Sequence, residues 1–296
     1  MTLATCNAIK CRGFLRLTAW LACLWLWQAG TGMAATGTDV PRPLEITVQP
    51  DAWGQASPRD IQAVVTSAAR QIWRHCSNAP PLDPIRVKRS GSSPIAIFQR
   101  EPDGAIIVRL ASQDTYWSQF AYQFAHEFGH VMAVHGGDWR RKWQNTTHAN
   151  KWFEESLCEA ASLFALRAMA REWATNAPYP NWKSYAPNLR RYADNLLAEP
   201  DRQLPAGESF AAWFARTQPR LRTNAVQRPL NGLVAAQLLP LFEEDPRHWE
   251  AALYLNLDTR DERKPFRQFL AEWQAACPAR HHSFIRRVAA VFGIAL

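Results

Sequence analysis

The stretch FAHEFGH, residues 124–130, places two histidines four positions apart inside an apolar pattern that recurs every three or four residues. Phe120, Phe124, Phe128 and Val131 carry that pattern, which predicts a helix with one buried side. On such a helix His126 and His130 project from one face, one turn apart, and Glu127 points about 100° away from His126. Two imidazoles so placed can share a zinc ion, and Glu127 can reach a water beside the metal without being a ligand. The bland alternative is a pair of histidines satisfied by hydrogen bonds within a helix. A catalytic zinc needs a third protein ligand, so whatever packs against this helix decides between the two.

Ser112 or Asp114 can cap the helix, which is expected from about Thr115 through His135 and ends at Gly136 and Gly137. A second helix is expected from Lys151 to Trp173. The metzincin arrangement of ligands is not met: Ala133 and Gly136 stand where its glycine and third histidine belong, and His135 is off by one. His135 suits the C-terminal end of the helix dipole instead.

The segment WFEESLCEAAS, residues 152–162, resembles the second active-site helix of the gluzincin metallopeptidases, the group of thermolysin-like enzymes and zinc aminopeptidases. The resemblance covers Phe120 to Met169. Ser156 stands where that family usually has glycine, and the connection GGDWRRKWQNTTHAN is longer than the family's. Matching Trp152 to the family's tryptophan implies that Glu155 is the third zinc ligand and that Glu159 hydrogen-bonds one ligand histidine. Glu154 and His148 stay open as alternative ligands. The resemblance further implies Glu127 as general base and a Tyr or His that stabilises the oxyanion; Tyr179 and Tyr185 are the candidates, with His248, His281 and His282 behind them. The residues themselves agree on one point. Glu155, Glu159, Ser162 and Leu166 form one helical line opposite the apolar stripe of Phe153, Leu157, Ala161, Phe164 and Ala168, and carboxylates facing inward are costly without a compensating cation. Zn2+ would be that cation.

The expected fold class is α+β. A small sheet from residues 44 to 110 would pack on the two motif helices in a zincin-like catalytic core, residues 36–175, and a helical C-terminal lobe would fill residues 176–296. A short strand at Leu44–Val48, a helix at Arg59–Trp73, and β-branched runs around the EPDG turn supply the first part. The strand at Ala105–Leu110 has two readings, an edge that pairs with an extended peptide beside the cleft, as in the superfamily it resembles, or an ordinary sheet strand.

Lys10, Arg12 and Arg16, then the apolar run of Leu17 to Trp27 and the small residues GTGMAATG, read as a signal peptide cleaved near Ala35. Its removal lowers the net charge of +8 by three. The remaining basic residues are scattered, which excludes a nucleic-acid footprint, and no further membrane span is expected. In an oxidising compartment Cys76 and Cys277 are expected to form a disulfide, with Cys158 buried in its helix. The expected function is that of a periplasmic or secreted zinc metallopeptidase acting on a peptide or protein substrate. The alternative is an inactive zincin-like envelope protein with a structural zinc or a binding role, in which Glu127 would have no purpose.

Overall fold

Short β-branched runs build a four-stranded sheet from β1 (Ile46–Val48), β2 (Ile85–Arg89), β3 (Ile95–Ile97) and β4 (Ile106–Leu110). The computed structural model describes residues 43–97, 99–135, 149–256 and 263–296; the expected leader at 1–35 and His148 fall outside them. Strand order is β1-β2-β4-β3. The pairs β1–β2 and β2–β4 are parallel, while β3 runs antiparallel to β4 with Ala96 opposite Val108. Parallel neighbours need a crossover, and helix α1 (Pro58–Trp73) supplies it between β1 and β2. Ser57 caps α1 by accepting from the Asp60 amide at 3.1 Å, and Pro58 occupies its first turn.

This order decides between the two readings of the strand at 105–110, in favour of an ordinary sheet strand. β4 has partners on both sides, so the strand at 105–110 has no free edge for a peptide. The edge on that side of the sheet belongs to β3, whose Ile95 is among the exposed large hydrophobic residues.

The two motif helices follow as α2 (Trp117–His135) and α3 (Lys151–Asn176), packed along each other. The rest is helical: α4 (Ala186–Ala198), α5 (Phe210–Thr223), α6 (Arg228–Glu244), α7 (Phe266–Ala276) and α8 (His282–Val291), joined in part by 3₁₀ turns. The architecture is thus α+β, a small sheet with helices packed on it and a helical C-terminal region. Helix α3 is buried on nearly every side and touches α1, α2, α4 and α6. Its first turn is held by aromatic rings. Trp152 lies 4.7 Å from Phe266 and 5.4 Å from Phe214, and Phe153 lies 5.7 Å from Trp273, centroid to centroid. Among the described residues no helix is long and apolar enough to cross a membrane.

Neither Ser112 nor Asp114 caps α2, which starts two residues later than expected. Asp114 adopts φ 53°, and its Oδ1 accepts from the Gln55 amide at 2.9 Å, fixing the loop before α1. The Tyr185 hydroxyl meets the start of α2 instead, accepting from the Ser118 amide at 3.3 Å. Gly54 makes the Asp114 contact possible: it has φ 69°, and a Cβ there would run into the Asp114 carboxylate. Gly54→Ala is expected to destabilise the protein by about 1–3 kcal/mol. An unchanged urea midpoint would show that this corner tolerates both the Cβ and the positive φ.

Candidate metal centre

Helix α2 carries His126 and His130 on one face with ring centroids 5.1 Å apart. Helix α3 crosses that face and presents Glu155, whose Oε2 is 3.4 Å from His126 Nε2 and 3.6 Å from His130 Nε2. The approach is close because of the glycine inside FAHEFGH: a Cβ on Gly129 would lie 2.8 Å from the Cys158 sulfur and 3.1 Å from its Cα. Phe124 and Phe128, stacked at 6.1 Å, hold the opposite side of α2 in the core. His126, His130 and Glu155 each offer one ligand atom, all within 4.8 Å of one another, and among the described residues they are the one such group that could hold a metal ion.

Each histidine has a carboxylate at its other nitrogen. His130 Nδ1 is 2.6 Å from Glu154 Oε1, and His126 Nδ1 is 3.7 Å from Glu159 Oε2, beyond hydrogen-bond reach but within ion-pairing distance. Glu154 is therefore turned away from the ligand cluster it was a candidate to complete. It is held by Lys151 Nζ at 2.5 Å and Asn256 Nδ2 at 2.6 Å. Glu159 accepts from the Tyr122 hydroxyl at 2.5 and 2.7 Å and pairs with the Arg202 guanidinium. A carboxylate hydrogen-bonded to the far nitrogen, as Glu154 is to that of His130, fixes the tautomer and orientation of a metal-binding histidine.

The charges favour a divalent cation. Three buried carboxylates, Glu154, Glu155 and Glu159, face two permanent cations, Lys151 and Arg202, which leaves one negative charge in excess. Burial opposes ionisation of Glu159, yet His126 and Arg202 pull it down to about 2. Glu154 and Glu155 are also lowered against burial, Glu154 by Lys151 and Glu155 by His130. Burial opposes the charged form of His126 as well, but Glu155 and Glu159 raise it to about 10, and His130 is raised well above its ordinary value despite the same burial cost. Both histidines are thus shifted toward their protonated forms. Two imidazoles and a carboxylate form a donor set that could hold a divalent metal ion, zinc among them.

The other candidates lie elsewhere. Tyr185 sits at the start of α2, eight residues or about 12 Å along the axis from His126. Tyr179 packs edge-on against Trp182 at 4.7 Å, with the Arg59 guanidinium 6.0 Å from its ring. His248 stacks on Phe284, His281 lies 3.6 Å from Glu250, and His282 Nε2 is 3.0 Å from the Cys277 carbonyl. The expected disulfide is not formed: Cys76 and Cys277 are separate buried thiols on the carbonyls of Ile72 and Ala251. Sequence reasoning missed Tyr122, Lys151, Asn256 and Arg202. Tyr122 and Lys151 had a usable signal, since each lies four residues before a metal-site residue on its own helix.

Compared with protein-family models, curated proteins and solved structures, the chain finds no match.

Because the folded pKa of His126 lies above its unfolded value, protonation stabilises the metal-free protein fully below about pH 6.5, and the contribution fades as pH rises toward 10. In the presence of a chelator the melting temperature is expected to drop between pH 7 and pH 9.5. Zinc uptake at pH 7 is expected to release one to two protons, read by calorimetry in buffers of different ionisation heat. Uptake without proton release would show that the histidines are neutral before zinc arrives.

Proposed function

We propose that the protein is an extracytoplasmic zinc-dependent hydrolase of peptide or related amide bonds. The observation that carries this reading is the convergence of His126 Nε2, His130 Nε2 and a Glu155 oxygen at a site with more buried carboxylates than permanent cations. The localisation rests on the leader pattern of residues 1–35.

Zinc, when bound there, supplies Lewis acidity toward a substrate carbonyl and toward water. The remaining work falls to side chains. Glu127 takes the proton from water and passes it to the leaving amine, as general base and then general acid. Its Oε2 accepts from the Ala96 amide on β3 at 2.7 Å, which holds the carboxylate beside the sheet edge and leaves Oε1 for proton transfer. The same bond means that the Ala96 N–H points away from β4, toward that edge. A peptide laid along β3 in extended form would bring its backbone past Glu127, which makes β3 the strand for substrate pairing.

The bond from Ala96 also favours a second reading, in which Glu127 only pins β3 to α2 and zinc staples the fold. Metal analysis and hydrolysis separate the two. Wild-type protein is expected to hold about one zinc per chain, lost in His126→Ala and Glu155→Ala and kept in Glu127→Gln. Against a peptide library, Glu127→Gln is expected to lose about 10²- to 10⁴-fold in hydrolysis while melting like the wild type. A zinc-loaded wild type that cleaves nothing, beside a Glu127→Gln variant that melts early, would establish the structural reading instead.

A further inference from the structure

Arg202 is an unusual participant. It lies on a short 3₁₀ turn (Pro200–Arg202) after α4, far in sequence from both motif helices, and yet it is only 6% exposed. Its Nη1 pairs with Glu159 Oε1, and its Nε donates to Glu199 Oε2 at 2.9 Å. Space for the guanidinium comes from a second distant residue. Gly232 on α6 passes so close that an ideal Cβ there would lie 2.9 Å from Arg202 Cζ and 3.0 Å from Nε. The guanidinium is thus enclosed between the backbone of α6 and the carboxylate behind His126.

We infer that Arg202 is a positioning residue of the metal centre: it holds Glu159 toward the Nδ1 side of His126, and Gly232 is the opening in α6 that admits it. The inference rests on the metal-centre reading above. The chemistry is that of a fork. A guanidinium offers several N–H donors in a fixed plane, so Arg202, anchored by Glu199 at Nε, sets where the Glu159 oxygen on its Nη1 points. Glu159 has two donors, the Tyr122 hydroxyl and Arg202, and these leave Oε2 as the oxygen nearer His126. Without Arg202, Glu159 would keep a single donor, the Tyr122 hydroxyl, which contacts both of its oxygens and leaves the carboxylate free to turn. A carboxylate that has turned no longer presents Oε2 to the Nδ1 side of His126, and the ring loses the ion-pairing partner it has there.

The sign of the effect separates positioning from background charge. Removing a cation from the neighbourhood of a dication tightens binding by simple electrostatics, whereas removing a positioning residue weakens it. Zinc affinity of the full chain, measured by competition with a chromogenic chelator, gives the answer. Arg202→Met is expected to weaken zinc binding about ten- to a hundredfold. Glu159→Gln is expected to do the same, and the double variant to be no worse than either single one, because both act through one contact. Arg202→Lys, which keeps the charge and loses the fork, is expected to recover part of the affinity. Gly232→Ala alters none of the site's own residues and puts a better helix former in α6. It is expected to weaken zinc by displacing the guanidinium, and it carries the test should Arg202→Met fail to fold.

Wild-type affinity or tighter binding in Arg202→Met, or a full additional loss in the double variant, overturns the inference and leaves the metal centre standing. A wild-type protein that binds no zinc removes both together.

Discussion

The packing of α2 against α3 encloses more negative charge than the protein itself neutralises. Carboxylates at Glu154, Glu155 and Glu159 are each less than a tenth exposed, and Lys151 and Arg202 answer only two of them. In a low-dielectric interior such an excess is expensive, and the site has two ways of removing it: protons on His126 and His130, or a divalent ion between them. Both outcomes use the same atoms. The nitrogens that face Glu155 in the protonated state are the ones a metal would take, so exchange of protons for metal needs little rearrangement of the chain.

That site depends on the first turn of α3 being held in rotation as well as in position. Glu154 and Glu155 are neighbours about 100° apart on the helix, and a modest roll would exchange their roles. The rings of Trp152 and Phe153, locked among Phe214, Phe266, Trp273 and Phe292, prevent the roll. Gly129 sets the separation of the two helices, and the aromatic cluster sets their angular register. Stability and site geometry therefore draw on the same contacts.

Much of this was legible in the sequence where the signal was local. The period of three and four through Phe120, Phe124 and Phe128 identifies α2 and the face shared by His126 and His130, and the inward line of Glu155 and Glu159 follows from α3 alone. The α+β class followed from β-branched runs ahead of long helical ones. Misreadings occurred where distant residues decide. Asp114 has the composition of a helix cap, but a bond to Gln55, fifty-nine positions away, takes its carboxylate. The strand at 105–110 resembles an edge until β2 is seen to pair with it in parallel. The choice between Glu154 and Glu155 lies in the aromatic packing around Trp152, and Arg202 and Asn256 come from turns that have no periodicity to read.

The partners of the two histidines are spread over a long stretch of chain, from Tyr122 on α2 to Arg202 and Asn256 beyond it. A growing polypeptide therefore displays the histidine pair well before it can complete their surroundings. Until Arg202 arrives, Glu159 lacks its fork, and until Asn256 arrives, Glu154 has only Lys151 to hold it. Such long-range closure is slow compared with the formation of a single helix. A chain truncated before residue 256 would possess the motif without Asn256 and without the rings of Phe266, Trp273 and Phe292 that hold the first turn of α3.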